Sequence, residues 1–382
     1  MIKAQLKSLL RSTTIVQRVI VHTRARRLAK THPEGIVPDA PRRVIVEPTN
    51  KCNLGCSYCG NKDMLRPSTY LKMEHFEELL KQMVELGIPR MTLHTVGEPL
   101  LHPEVTEMIA KAKEQGRIVT ISTNGSLLTE DKARALVKAG PDILNISADA
   151  GDAETLAKTR DGLELKTVVE GLQRLNTFRD EFGPIQDGPW GMVRLPSLTI
   201  TCVITPLFTR KVERQFFKTF GPLVDDFQFH IANNHANYVP NEPMREKSPL
   251  PQRIQDAIYR KVREPCHYPW DALFLLSDGT MSVCRFDFDA RIKVGRFPEK
   301  SILELWTSDE MRSLRRAHMS FDYDGWEQCR DCTATFYENR HKHYTTTQRL
   351  KKRNGFETKR NIWLSANPMD AQPAENSAGA SA

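Results

Sequence analysis

The stretch RVIVEPTNKCNLGCSYC, residues 43–59, joins a β-branched run to three closely spaced cysteines. RVIVEP (43–48) has the composition of a short buried strand. The loop directly after it carries Cys52, Cys56 and Cys59 in a C-x3-C-x2-C spacing. Strand and helix patterns then alternate downstream. MTLHTV (91–96), RIVTIS (117–122), ILNISAD (143–149), SLTITCVIT (197–205) and DFQFHIA (226–232) read as further strands. Between them Met73–Gly87, Pro103–Gly116, Thr129–Gly140, Leu163–Phe182 and Lys211–Phe220 read as helices. In the first of these, Phe76, Leu79, Leu80, Met83 and Leu86 share one face. Strands alternating with such helices indicate parallel βα units. The pattern predicts an α/β fold, a partial (β/α)6 barrel, with active-site groups at the C-terminal ends of its strands.

Three thiolates on one loop can hold three irons of a cubane cluster and leave the fourth iron open. Such an iron can chelate the amino and carboxylate groups of S-adenosylmethionine and pass an electron to its sulfonium, generating a 5′-deoxyadenosyl radical. Structural zinc is the competing reading. It would need a fourth ligand, for which His75 and His94 are available but not at the usual spacing.

The rest of the chain bounds these possibilities. Of 382 residues, 40% are hydrophobic, enough for a substantial core. No long uncharged apolar run argues for a membrane-spanning helix, and no secretory signal is visible. The formal net charge of +8 is carried by the two ends. Residues 1–33 hold eight Lys or Arg and no acid, and the stretch 340–360 holds eight with one Glu. The middle is mildly acidic, which excludes a nucleic-acid groove on the core. Seven of the eight cysteines fall in spaced groups. In a long chain without a secretion signal, that pattern favours metal ligation over disulfides.

The loop with Tyr58 before its third cysteine resembles that of the radical S-adenosylmethionine superfamily. Val96-Gly97-Glu98-Pro99 is similar to the motif that holds the methionine amino group there, which implies that role for Gly97 and Glu98. Ser122-Thr123-Asn124-Gly125 resembles the motif near the cofactor's ribose and carboxylate, implying Ser122 and Asn124. Asn145-Ile146-Ser147-Ala148-Asp149 resembles the fourth-strand motif, whose serine, here Ser147, faces the cofactor. The resemblance covers roughly residues 43–235 and implies a [4Fe-4S] cluster on Cys52, Cys56 and Cys59 with S-adenosylmethionine as cofactor.

Cys266, Cys284, Cys329 and Cys332 form a second group around a hairpin-like FLLSDGTMSVC (274–284). Four thiolates would also suit zinc. Their order resembles the SPASM-type auxiliary-cluster region of the same superfamily in its short twitch form, and implies a second [4Fe-4S] cluster ligated by all four. By cysteine spacing the region is similar to that of an aminocyclitol dehydrogenase. The expected organisation is a basic amphipathic helix (1–33), the partial barrel (40–235), a Pro-rich linker (236–265), the small auxiliary-cluster domain (266–340), and a basic helix with a low-complexity tail (341–382).

The resemblance implies a cytoplasmic radical oxidoreductase that abstracts a hydrogen atom from a small polar, sugar- or aminocyclitol-like substrate. An electron would pass to the second cluster, and an external low-potential donor would feed the first. Peptide modification is an alternative, and so is epimerisation, which would need Cys202 as hydrogen donor. A non-catalytic metal-binding adaptor at a membrane surface is the alternative from another class. Alternation along the fifth strand turns the threonines to the lumen and Cys202 toward the helices. His230, His235 and Asn237 after the sixth strand, and Arg285 and Asp287 after Cys284, are candidates for substrate contact. The N-terminal helix could lie on an anionic membrane surface, the alternative being that it packs on its own barrel.

Overall fold

The computed structural model describes residues 14–188, 191–231, 263–330, 332 and 340–358. Each predicted strand forms at or near its expected place: β1 (Arg43–Val46), β2 (Arg90–Leu93), β3 (Ile118–Thr123), β4 (Ile143–Ser147), β5 (Ser197–Ile204) and β6 (Asp226–Ile231). They run parallel in chain order across one sheet. The connecting helices are α2 (Met73–Glu85), α3 (Val105–Glu114), α4 (Glu130–Ala139), α5 (Ala153–Thr159), α6 (Leu165–Phe182) and α7 (Arg210–Phe220). The short α5 lies in a stretch whose sequence carries no periodic apolar signal. Side-chain caps start several helices, with Thr129, Asp152 and Thr209 accepting from the third residue beyond.

The helix-facing side of the sheet is sealed, with Val44, Met91, Val119, Leu144 and Ile200 all at most 1% exposed. The other face is half-buried and polar. Burial alternates along β3, leaving Thr120 and Ser122 on the more open face. The register places Thr92 beside Thr120, Ser122 beside Asn145, and Ser147 beside Thr201. Period-two alternation under a one-sided helix layer produces this polar lumen.

The cysteine-rich C-terminal part is not a detached module. Its first strand, β7 (Ala272–Leu275), pairs in parallel with β1 over four residues. β8 (Thr280–Ser282) and β9 (Lys293–Arg296) then continue the same sheet antiparallel, making nine strands. α8 (Ile302–Trp306) and α9 (Asp309–Ser320) cover this extension, and Trp306 and Leu314 join the common core. A buried carboxylate ties the two parts together. Glu47, fully buried at the end of β1, accepts from both the amide and the hydroxyl of Ser277 (3.1 and 2.9 Å) and from Arg66 (2.8 and 3.0 Å).

The two basic ends are partly structural. The N-terminal helix among the described residues, α1 (Thr14–Leu28), does not segregate apolar from charged residues onto opposite faces. It packs on the cysteine-rich end rather than on the barrel: the His22 ring lies 4.0 Å from that of Phe321, and its Nδ1 is 2.9 Å from the Arg263 carbonyl. α10 (Arg340–Arg353) lies along the edge strand β6. There Lys351 pairs with buried Asp226, and Arg353 with buried Glu213. Covering an edge strand removes a template for unwanted pairing. No helix among the described residues is long and apolar enough to cross a membrane.

Cys202 is fully buried, within the core cluster and beneath the lumen. This orientation removes the structural basis for an epimerase that uses this thiol. We expect Cys202→Ala to cost about 1–2 kcal/mol of stability for the lost packing, and to leave turnover of S-adenosylmethionine within twofold of the parent. A greater loss of 5′-deoxyadenosine formation would place this thiol in the chemistry.

Candidate active site

The loop carrying Cys52, Cys56 and Cys59 leaves β1 at the C-terminal edge of the sheet and is pinned from three sides. The first contact is a backbone approach. A Cβ on residue 97 would lie 2.0 Å from the carbonyl oxygen of Thr49 and 2.8 Å from that of Lys51, so only glycine fits there. The neighbouring amide of Glu98 donates to the Lys51 carbonyl (2.7 Å). The Glu98 carboxylate is 1% exposed and accepts from Thr123 Oγ1 (2.7 Å), the Asn124 amide (2.7 Å) and the Leu100 amide (3.0 Å). Burial pushes its pKa up, against the pull of those donors. Gly97→Ala should therefore force the two loops apart, cost about 3 kcal/mol, and abolish cofactor cleavage. Wild-type thermal stability in that variant would refute the argument.

The second contact runs to the β3 end. Asn124 Nδ2 donates to Asn53 Oδ1 (3.0 Å), and Asn53 Nδ2 donates to Ser126 Oγ (2.9 Å). The third is electrostatic. Tyr58 Oη donates to Asp149 Oδ2 (2.7 Å), while the Arg160 guanidinium grips the same carboxylate (2.9 and 3.2 Å). Arg160 Nη1 also lies 3.9 Å from Cys56 Sγ. Gly55 and Cys56 pair antiparallel with Asp161 and Arg160, so the loop is hydrogen-bonded to the end of α5.

These positions sort the expected site residues. Tyr58, Gly97, Glu98 and Asn124 brace the cysteine loop. Ser122 and Ser147 stand on the half-buried lumen face, with Ser122 Oγ accepting from Asn145 (3.3 Å). His230 also lies on β6's more open side, while His235 and Asn237 lie outside the described residues. All three cysteine thiols are partly exposed and unpaired by disulfides. Burial raises them, Cys59 to about 11, and each lies within electrostatic reach of another.

Two further residues at the site are not expected there from the sequence, Arg160 having no signal and His94 being weighed only as a zinc ligand. Arg160 ends a short helix, where an arginine is ordinarily solvated. His94 continues the lumen-facing alternation of β2. Burial, and then the Arg285 guanidinium from the cysteine-rich end, lower its pKa to about 4, leaving the imidazole neutral at physiological pH.

The second cysteine group surrounds one cavity, lined by Cys266, Cys284, Cys329 and Cys332 together with Arg263 and His318. Cys284 follows β8, and Cys329 sits in a short helical turn (Glu327–Arg330). Burial pushes the thiols of Cys284 and Cys329 well up. Asp287 builds the loop wall: its carboxylate accepts from the amides of Arg291 (2.8 Å) and Ile292 (2.6 Å). Arg285 stacks over Phe286, 4.7 Å from the ring centre. Among the described residues no three His, Cys, Asp or Glu side chains converge as one metal ion would require.

Residues 46–179 match the radical SAM superfamily, and residues 266–333 match an iron–sulfur cluster-binding domain of the SPASM type. The chain belongs to the radical SAM superfamily and carries a C-terminal SPASM domain. These two domains bring S-adenosylmethionine and two iron–sulfur clusters. The chain is 26% identical over 222 residues to the PqqA peptide cyclase of Granulibacter bethesdensis, covering 50% of this chain and 59% of that one. It is 35% identical over 129 residues to the GTP 3′,8-cyclase of Limosilactobacillus fermentum, covering 32% and 38%. The chain thus spans less than two thirds of either relative. Among solved structures, Streptococcus suis SuiB bound to its precursor peptide SuiA matches with a TM-score of 0.58 at 14% identity, covering 76% of this chain and 69% of that one. AdoMet-bound anSMEcpe matches with 0.53 at 15%, covering 82% and 99%. Both likenesses show the fold.

Proposed function

We propose that this radical SAM enzyme oxidises a small polar substrate in the lumen between its two clusters. Cys52, Cys56 and Cys59 would hold the cofactor-binding cluster, and Cys266, Cys284, Cys329 and Cys332 the second. The observation that carries the reading is the convergence of all four later cysteines on one cavity. Four thiolates would leave no iron open to substrate, so a cluster held there would take electrons rather than bind the reactant.

When bound, the first cluster supplies the electron that splits S-adenosylmethionine into methionine and the 5′-deoxyadenosyl radical. The chain supplies the surroundings. Ser122, Asn145, Ser147 and Thr201 offer hydroxyls and an amide to substrate or cofactor from the polar face. His94, neutral and without a hydrogen-bonding partner on its ring among the described residues, stands on the same side. It can accept the proton shed when a carbinol radical is oxidised to a carbonyl. The bound cofactor would supply the acceptor for the hydrogen atom and the second cluster the acceptor for the electron, while His94 would take the proton.

A peptide substrate is the second reading, favoured by the PqqA peptide cyclase likeness, which extends over half of this chain. Anaerobic reconstitution with dithionite, S-adenosylmethionine and deuterium-labelled candidates separates the two. Deuterium appearing in 5′-deoxyadenosine from labelled sugars or cyclitols supports the first reading, and from labelled peptides the second. Failure to form any 5′-deoxyadenosine would overturn both.

A further inference from the structure

Arg263 is 8% exposed and lines the cavity of the four cysteines. Its Nη1 donates to the Arg330 carbonyl (2.6 Å), and its guanidinium stacks 4.3 Å from the centre of the Tyr323 ring. Its Nε and Nη2 are buried without any hydrogen-bond acceptor, and no carboxylate pairs with the charge among the described residues. Asp287, within electrostatic reach of Cys284 and Cys329, accepts from the Arg291 and Ile292 amides and from Ser282 Oγ (3.3 Å). A buried guanidinium with two idle donors and no counter-ion is costly unless something negative completes it. The groups that can become negative in that cavity are the thiols of Cys266, Cys284, Cys329 and Cys332.

We propose that Arg263 is a positioning residue for the second cluster: its charge and its free N–H donors face the ligated sulfurs and raise the cluster's reduction potential. This rests on the assignment of Cys266, Cys284, Cys329 and Cys332 as ligands. A cluster gains negative charge on reduction, so a desolvated cation beside it stabilises the reduced state, and hydrogen bonds to sulfur act in the same direction. The consequence is directional. One electron leaving a substrate radical finds an acceptor biased to receive it.

The test is an EPR-monitored redox titration of the reconstituted full chain, with iron counted per chain. A Cys52→Ala/Cys56→Ala/Cys59→Ala version isolates the second cluster's signal. Arg263→Met and Arg263→Gln should make reduction at least tenfold less favourable, about 59 mV lower for one electron. Arg263→Lys, which keeps the charge but not the fork, should fall between these variants and the parent. Should the Met variant fail to load iron, the Gln and Lys variants carry the comparison. Variants with full iron and an unchanged midpoint would overturn the role of Arg263. A triple-alanine chain that binds no iron would instead overturn the ligand assignment beneath it.

Discussion

Cys56→Ala should abolish reductive cleavage of S-adenosylmethionine and remove about four of about eight irons per chain. Cys52→Ala and Cys59→Ala should do the same. On the proposed assignment each thiol would hold one iron with no spare ligand, because the fourth iron must stay open for the cofactor. Cys284→Ala should have the opposite profile. It disturbs the buried cavity of the second group, so iron falls but some 5′-deoxyadenosine still forms, uncoupled from substrate oxidation. Iron analysis and chromatography of the nucleoside, side by side on the two variants, make the check. Equal loss of cleavage in both would mean that the two groups do not act separately. Full cleavage by Cys56→Ala would remove this loop from the chemistry.

Asp149→Ala is expected to destabilise the protein by about 3–5 kcal/mol, because it strands a buried cation. Asp149 is 2% exposed and Arg160 7%. The carboxylate receives Arg160, the Tyr58 hydroxyl and the Val203 amide (2.8 Å), and so joins the cysteine loop, the end of α5 and β5. Its loss leaves Arg160 without an ionic partner beside Cys56 and frees the loop that must present three thiolates in register. We therefore expect cofactor cleavage to fall together with stability. The double variant Asp149→Ala/Arg160→Met should recover part of the stability, since the stranded charge is gone. Chemical denaturation of the single and double variants measures the coupling. A cost below 1 kcal/mol for Asp149→Ala would show that water already screens this pair.

The elements were legible because each is written locally. Val44, Ile45 and Val46 announce a strand by composition, and Phe76, Leu79, Leu80 and Met83 announce a helix by period. The cysteine loop was legible because its three thiols are neighbours in sequence. The alternation along β5 also foretold that Cys202 would turn into the core, where it is fully buried. The bracing of the loop was not legible. Arg160 meets Cys56 across 104 residues and Asp149 across 11, and nothing in the local sequence distinguishes it from a solvated helix-end arginine. The contact of α1 was not legible for a similar reason. A basic helix is compatible with several surfaces, and its resting place is decided by the shape of Phe321 and its neighbours.

The sequence by itself determined the βα alternation, the two cysteine groups and the order of the cofactor motifs, all of which depend on spacing within a few residues. Only the tertiary structure decided that β7 docks beside β1 and extends the barrel sheet into the cysteine-rich end. It also decided that Glu47 ties the two parts together, and that Arg263 is buried in the wall of the four-cysteine cavity with no carboxylate paired to it among the described residues. Strand partners and counter-ions far apart in sequence are selected by the whole packed chain. A buried charge is costly or useful according to what the rest of the fold brings against it.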